Sequence, residues 1–246
     1  MSTDITHLLE EWPYDDENNA RIITADDGRS VLQVRQPLGI EQYELEGRPD
    51  GLSPDGFDTF ADLVDHELAE YQTAHGTDVG FEIGEDEATE LQNESILYYY
   101  RYLLLFQLND FERVIRDTRH NLRVCELLEK YAEDEDAEAV LQFKPYIVRM
   151  NSVSRAMARV QHHENGEARE ILEEAIDAIQ EMRAVDTPAF EFERVRSVNY
   201  LRSALEQIEE TEDDPVARLR QELDTAVQQE DYERAARLRD HIRELS

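Results

Sequence analysis

The hydrophobic period of this chain changes at Phe57, and that change limits its fold more than any other feature. From Phe57 onward apolar residues recur at three- and four-residue steps, beginning with Phe57, Phe60, Val64, Leu68 and Tyr71. That spacing keeps side chains on one face of an α-helix. Before it the apolar runs are short and β-rich: Ala20-Arg-Ile-Ile-Thr24, Ser30-Val-Leu-Gln-Val-Arg35 and, alternating less cleanly, Leu38 to Leu45. Asp27-Gly28 lies between the first two runs and is a hairpin signal, because glycine accepts the positive φ of the turn. The turn chemistry of Gly47-Arg-Pro-Asp-Gly51 and Ser53-Pro-Asp-Gly56 closes this part. A mostly α (α+β) fold is predicted. A small β meander over residues 1–56 packs on a helical body over 57–208, because three strands alone are barely stable.

Within the body, Gly76 supplies a helix stop, and Phe81 and Ile83 a short extended piece. The acidic residues from Glu85 suit the positive end of the next helix dipole. That helix runs through Ile96-Leu-Tyr-Tyr-Tyr-Arg-Tyr-Leu-Leu-Leu-Phe-Gln-Leu108, apolar nearly all round, which places it at the centre of the core. Tyr98, Tyr99, Tyr100 and Tyr102 offer ring faces for stacking on bases. The simpler reading is core packing with hydroxyls at the rim. Further helices are predicted near 110–131, 136–164, 167–184, 189–209, 216–229 and 231–245. The second should be kinked or broken at Pro145, and Pro188 and Pro215 sit where helices should begin. Residues 209–215, acidic and poor in apolar side chains, read as a linker. The passages Asn109 to Arg116, Asn165 to Leu172 and Glu230 to Arg237 each set a short polar turn between helical runs. The first two resemble the turns of tetratricopeptide-type repeats, although the full repeat signature is absent. Stacked helical hairpins follow, with a concave surface of the kind that binds peptides or proteins.

The charge balance removes several classes of function. Asp and Glu number 58 against 25 Lys and Arg, a net charge of −33, and only Lys130 and Lys144 are lysine. Such self-repulsion is tolerable where salt shortens the screening length, so the composition is that expected of an extreme halophile. The acids are spread along the chain instead of forming a tail, which counts against a nucleic-acid mimic. The same surface disfavours phosphate backbones. A hydrophobic content of 40% excludes a disordered acidic polymer. No apolar run reaches the roughly 18–20 residues of a membrane span. Met1 to Tyr14 lacks a signal-peptide pattern, so a cytoplasmic protein is expected. Cys125 is the one cysteine, which rules out an internal disulfide and a multi-cysteine zinc site. Set between Leu122 and Leu127-Leu128, it reads as a buried thiol and not a nucleophile. Neither a Gly-x-x-x-x-Gly-Lys-[Ser/Thr] phosphate loop nor a Gly-x-Ser-x-Gly elbow occurs. The histidines are His7, His66, His75, His120, His162, His163 and His241, and no Glu-x-x-His pair is among them; Asp4-x-x-His7 and Asp117-x-x-His120 come nearest. His162-His163 should lie exposed at a helix end. No catalytic residue, cofactor or metal is assigned, and a non-enzyme is expected. An enzyme whose carboxylates bind a divalent metal is the third reading.

The last thirty-odd residues are the most specific. Leu219, Leu223 and Val227 step by four; Ala235, Leu238, Ile242 and Leu245 step by three or four. Asp231 can cap a second helix, Tyr232 can pack back across the turn, and Ala235-Ala236 allow close backbone approach. Six arginines against seven acids leave residues 215–246 nearly neutral, while 1–214 hold 19 basic against 51 acidic residues. Such a stretch is the least repulsive surface for an acidic partner or a second subunit.

The pieces Leu219…Leu223…Ala226-Val227, Glu230-Asp-Tyr-Glu-Arg-Ala-Ala236 and Leu238-Arg-Asp240…Ile242 closely resemble the UVR motif. This is the helical hairpin near the C-terminus of UvrB and within UvrC of bacterial excision repair. The resemblance covers about an eighth of the chain. It implies a hairpin for protein–protein docking or self-association, and the motif also occurs outside excision repair. Residues 216–246 would form the docking unit. Leu219, Leu223, Val227, Asp231, Tyr232, Ala235, Leu238 and Ile242 would bear the contact or the hairpin packing, and Arg234, Arg237 and Arg239 its register and charge selectivity. Because a chain below roughly 40 residues rarely stands alone, the hairpin should pack on the body, a copy of itself or a partner. Excision-repair proteins are the first partners expected. The remainder, through Trp12-Pro-Tyr14, Gly47 to Gly51 and Asp110 to Arg119, more loosely resembles a family with the same tail, and the excinuclease helicase and nuclease domains have no counterpart. The alternative is direct nucleic-acid binding by the tail arginines and the tyrosine-rich helix. It requires the six tail arginines to line one face.

Overall fold

The computed structural model describes residues 4–213, 219, 223, 226, 227 and 232–245. Three strands, β1 (Ala20–Thr24), β2 (Ser30–Gln36) and β3 (Gly39–Glu44), form an antiparallel sheet in the order β1-β2-β3. Ile22 pairs with Leu32, and Leu32 with Tyr43. The β1–β2 turn is made at Gly28 with φ 86°. β2 is buried on both faces: Leu32 and Val34 on one, Val31 and Arg35 on the other. A short helix that the periodicity did not indicate, α1 (Thr6–Glu11), precedes the sheet and buries no residue. It leads to Trp12, whose carbonyl accepts from Arg35 Nε at 2.7 Å and whose ring lies under the Arg21 guanidinium.

The helical body follows as α2 (Phe60–His75), α3 (Glu85–Gln107), α4 (Phe111–Tyr131), α5 (Asp134–Leu141), α6 (Lys144–Gln161), α7 (Asn165–Glu181) and α8 (Pro188–Asp213). α2 starts at the Thr59 cap, whose hydroxyl accepts from the Asp62 amide, and stops at Gly76 with φ 73°. Ile83, in the short extended piece that the sequence suggested, bridges to Ala132. The predicted 136–164 helix is broken: α5 ends at Leu141 and α6 begins at Lys144, with Pro145 in its first turn, where a missing N–H costs nothing. α8 begins at Pro188 and runs through Asp213, so the acidic residues 209–213, expected to form a linker, continue the helix.

α3 corrects one expectation. It is buried along a stripe at Ala88, Leu91, Glu94, Ser95, Tyr98, Arg101, Tyr102 and Leu105, not all round. Ile96, Tyr99 and Tyr100 stand partly in solvent. The local sequence shows apolar residues on every side, but only the i, i+3, i+4, i+7 row meets α4 and the sheet.

α3–α4 and α6–α7 are joined by short turns, and each pair packs together; α4 also packs on α6, and α8 on α6 and α7. The two turns share one geometry. Asn109 and His163 both take positive φ. The Asn109 and Asp110 amides donate to Phe106 and Leu105, and those of His163 and Glu164 to Val160 and Arg159. This is a Schellman cap in both places, with a non-glycine residue in the left-handed position. The resemblance between these two passages is therefore structural.

Three apolar clusters hold the molecule together. Val64, Leu68 and Leu91 pack with Val124, Leu127 and Val140. Val153, Leu172, Ile179 and Leu201 join α6, α7 and α8. Leu32, Leu45, Tyr102, Leu105 and Val114 attach the sheet to the body. A polar clamp reinforces the last. Arg101 Nε and Nη2 donate to Asp117 at 2.7 and 2.8 Å, and Arg101 Nη1 donates to the carbonyls of Glu44 and Gly47 at 2.8 and 2.9 Å. Arg116 adds a bond to the Leu45 carbonyl. Glu94, fully buried, accepts from the Phe60 and Ala61 amides at 2.6 and 3.1 Å and lies 3.1 Å from His120 Nε2.

Candidate functional site

The tail's second helix, α9 (Tyr232–Leu245), is described as a helix, and Leu219, Leu223, Ala226 and Val227 are helical before it. Leu219 and Leu223 are half-buried, Ala226 is fully buried, and Val227 is 51% exposed. A strict step of four does not match 3.6 residues per turn, so the seam runs Leu219, Leu223, Ala226 and leaves Val227 off to one side. On α9, Leu238 and Ile242 are half-buried, one turn apart. Tyr232, read as packing back across the turn, is 69% exposed. Asp231, the suggested cap, lies outside the described residues. Ala235 lies within α9.

The arginines do not form one stripe. At about 100° per residue, Arg234 and Arg237 lie on one side of α9 and Arg239 and Arg243 on nearly the opposite side. Arg239 pairs with Asp240 at 3.0 Å, with Arg243 3.9 Å from the same carboxylate. Arg243 in the last turn also suits the helix dipole.

The remaining sequence candidates fall into the fold. Cys125 is fully buried, and burial pushes its thiol up to about 12, so little thiolate forms near neutral pH. Asp117 is held by Arg101 and Arg116, and His120 stacks on Tyr98 with ring centroids 3.7 Å apart, so the Asp117-x-x-His120 pair serves the clamp. His162 and His163 are exposed at the end of α6. Among the described residues no group of His, Cys, Asp and Glu is arranged to hold a metal ion, and no helix is long and apolar enough to cross a membrane.

The sequence singled out the four tyrosines of α3 without dividing them. Tyr98 and Tyr102 are core residues; Tyr99 and Tyr100 are 37% and 50% exposed and edge a cavity between α3, α4, α5, α6 and α8, which Tyr102 also lines. Arg149, Glu193 and Asn121, beside or within its walls, carried no sequence signal, because buried polar residues on a helix look like any others in a chain with this many charges.

Fold and tail together define a mostly helical α+β protein: a small antiparallel sheet clamped to packed helices, with a further helix over Tyr232–Leu245. Residues 213–246 match the family described as the UvrB/uvrC motif, so the chain carries a UVR motif. No curated protein and no solved structure matches it.

Proposed function

We propose that this chain is a non-enzymatic interaction protein that docks or self-associates through its UVR hairpin, with a link to nucleotide excision repair in the cytoplasm of a salt-adapted cell. The observation that carries this reading is the UVR match over residues 213–246. In excision-repair proteins the motif mediates contacts between proteins. Two observations support it. Leu219, Leu223 and Ala226 are half-buried or buried, while Val227 and Tyr232 stand half or more in solvent, two side chains open to a partner. The tail is also nearly neutral beside a body of strong negative charge. The division of arginines between opposite sides of α9 argues against a phosphate-tracking groove and hence against direct nucleic-acid binding.

Solution mass and partner recovery decide it. The full chain and a variant lacking residues 215–246 are compared by light scattering and by pull-down with purified excision-repair proteins from the same cells. The reading expects a complex, with itself or with one of those proteins, that the truncated chain cannot form. Equal behaviour of both chains would refute it.

A further inference from the structure

The cavity edged by Tyr99 and Tyr100 measures about 380 Å³, within the roughly 300–1,000 Å³ of small-molecule sites. Tyr99, Tyr100, Phe143 and Tyr146 supply its aromatic walls. Tyr99 stands edge-on to Tyr146, centroids 5.9 Å apart, and is tilted against Tyr100 at 5.3 Å. Gln92, Ser95, Asn121, Glu193 and Arg196 supply the polar part of the lining, and Ser95, Asn121 and Glu193 are its buried members.

Ser95, Asn121 and Glu193 are each more than nine-tenths buried and hold an atom with no hydrogen-bond partner: Ser95 Oγ, Asn121 Oδ1 and Glu193 Oε2. The other polar atom of the Asn121 and Glu193 side chains is occupied. Asn121 Nδ2 donates to the Ser95 carbonyl at 3.0 Å, and Glu193 Oε1 accepts from Arg196 at 3.3 Å. Asn121 is therefore fixed in orientation with its acceptor unused. A fourth unpartnered atom, Arg149 Nη1, lies behind the Tyr146 wall. Its guanidinium sits 4.7 Å from that ring, and its Nη2 stops 4.0 Å short of Glu193 Oε2. Buried polar atoms in folded proteins are nearly always paired, so several orphans around one cavity point to a ligand that pairs them.

The chemistry of the orphans restricts that ligand. Two acceptors and a hydroxyl call for N–H donors, the Arg149 Nη1 donor calls for an acceptor such as a ring nitrogen, and ring walls call for a flat aromatic face. Arg196 in the wall and Arg149 beside it oppose a cation. Glu193 meets the charge of these arginines within the protein, and the net charge of −33 opposes an anion, phosphates included. We propose that this cavity binds a neutral, planar nitrogen heteroaromatic of the purine class, as the free base or nucleoside, stacked on the tyrosines with its N–H edge toward Asn121 and Glu193. None of the lining residues lies within residues 213–246, so the site is distinct from the UVR match and its test does not use what the hairpin docks.

Titration calorimetry on the full chain tests this with adenosine, adenosine 5′-monophosphate, indole and N-acetyltryptophanamide, at low and high potassium chloride. Adenosine should bind one per chain and more tightly than the other three. Tyr100→Ala, at a half-exposed position that the fold tolerates, should weaken it about tenfold through lost stacking. Glu193→Gln, which keeps the shape but halves the acceptor capacity, should weaken adenosine and leave indole unchanged. Four results would overturn the proposal: no binding of adenosine in the millimolar range; equal binding of indole, which would make the cavity merely apolar; equal binding of the monophosphate; or preference for N-acetyltryptophanamide, which would make it a socket for a partner's side chain. Circular dichroism of both variants confirms that any loss is not unfolding.

Discussion

Asp117 is fully buried and accepts from two arginines at once: Arg101 through both carboxylate oxygens, and Arg116 at 3.0 Å, with Glu46 as the second anion of Arg116. Asp117→Asn would leave Arg101 charged, buried and short of an anion, at a cost of about 3–5 kcal/mol. Urea unfolding of the variant should show that loss as a lower midpoint with an unchanged slope. Glu94 makes a prediction in pH. Burial alone would raise its carboxyl, but His120 and the amides of Phe60 and Ala61 outweigh burial and hold it below its ordinary 4.5. A group depressed on folding binds its proton more readily in the unfolded chain. Its stabilisation is therefore present above pH 4.5 and drains away as pH falls through the lower native value. Replacing Glu94 with Gln should flatten the fall in stability below pH 4.5, measured by urea unfolding across that range. An equally steep fall in the variant would assign the acid lability to other carboxylates.

The paired helices rest on their turns, and there the two Schellman caps place Asn109 and His163 at φ 58° and 62°. Asparagine is at home in that region, whereas histidine carries a larger steric penalty. His163→Gly should be neutral or stabilising by up to about 1 kcal/mol, and His163→Val destabilising by about 1–2 kcal/mol; thermal unfolding of the two variants separates them by sign. Elements of this kind show what the sequence could reveal. The strands, the Gly76 stop, the Pro145 break and the Pro188 start were legible because each depends on local chemistry: a turn glycine, a missing N–H, a period of two or 3.6. α1 was not, because six residues with no buried side chain leave no periodic trace. The one-sided burial of α3 was not, because the sequence around Tyr99 and Tyr100 is apolar whether or not a neighbour covers it. The tail was recognised from its residue order; within it Ala226 is buried and Val227 stands beside it in solvent, since a count of four drifts against a turn of 3.6. Of the cavity, only the tyrosines were visible; the orphaned oxygens of Ser95, Asn121 and Glu193 arise from packing between helices far apart in the chain.

At the scale of the whole molecule, charge governs behaviour more than any single contact. A body holding 51 acids against 19 bases repels itself, and many of its ion pairs, such as Arg183–Asp134 and Arg29–Asp27, are exposed and contribute little each. Salt acts on these two contributions in opposite directions: it weakens the pairs and screens the repulsion. With this imbalance of sign the repulsion is the larger, because every unpaired carboxylate interacts with many others over a Debye length of about 10 Å at 0.1 M salt, falling to about 3 Å at 1 M. Raising potassium chloride from 0.1 M to 3 M should therefore raise the thermal midpoint of the full chain. Sodium perchlorate, which screens equally but does not strengthen apolar burial, separates the electrostatic part from the salting-out part. Removing residues 215–246 takes away almost no net charge, so the salt dependence of the truncated body should match that of the full chain. A midpoint that stays flat or falls with both salts would mean that the surface pairs, and not the repulsion, set the balance.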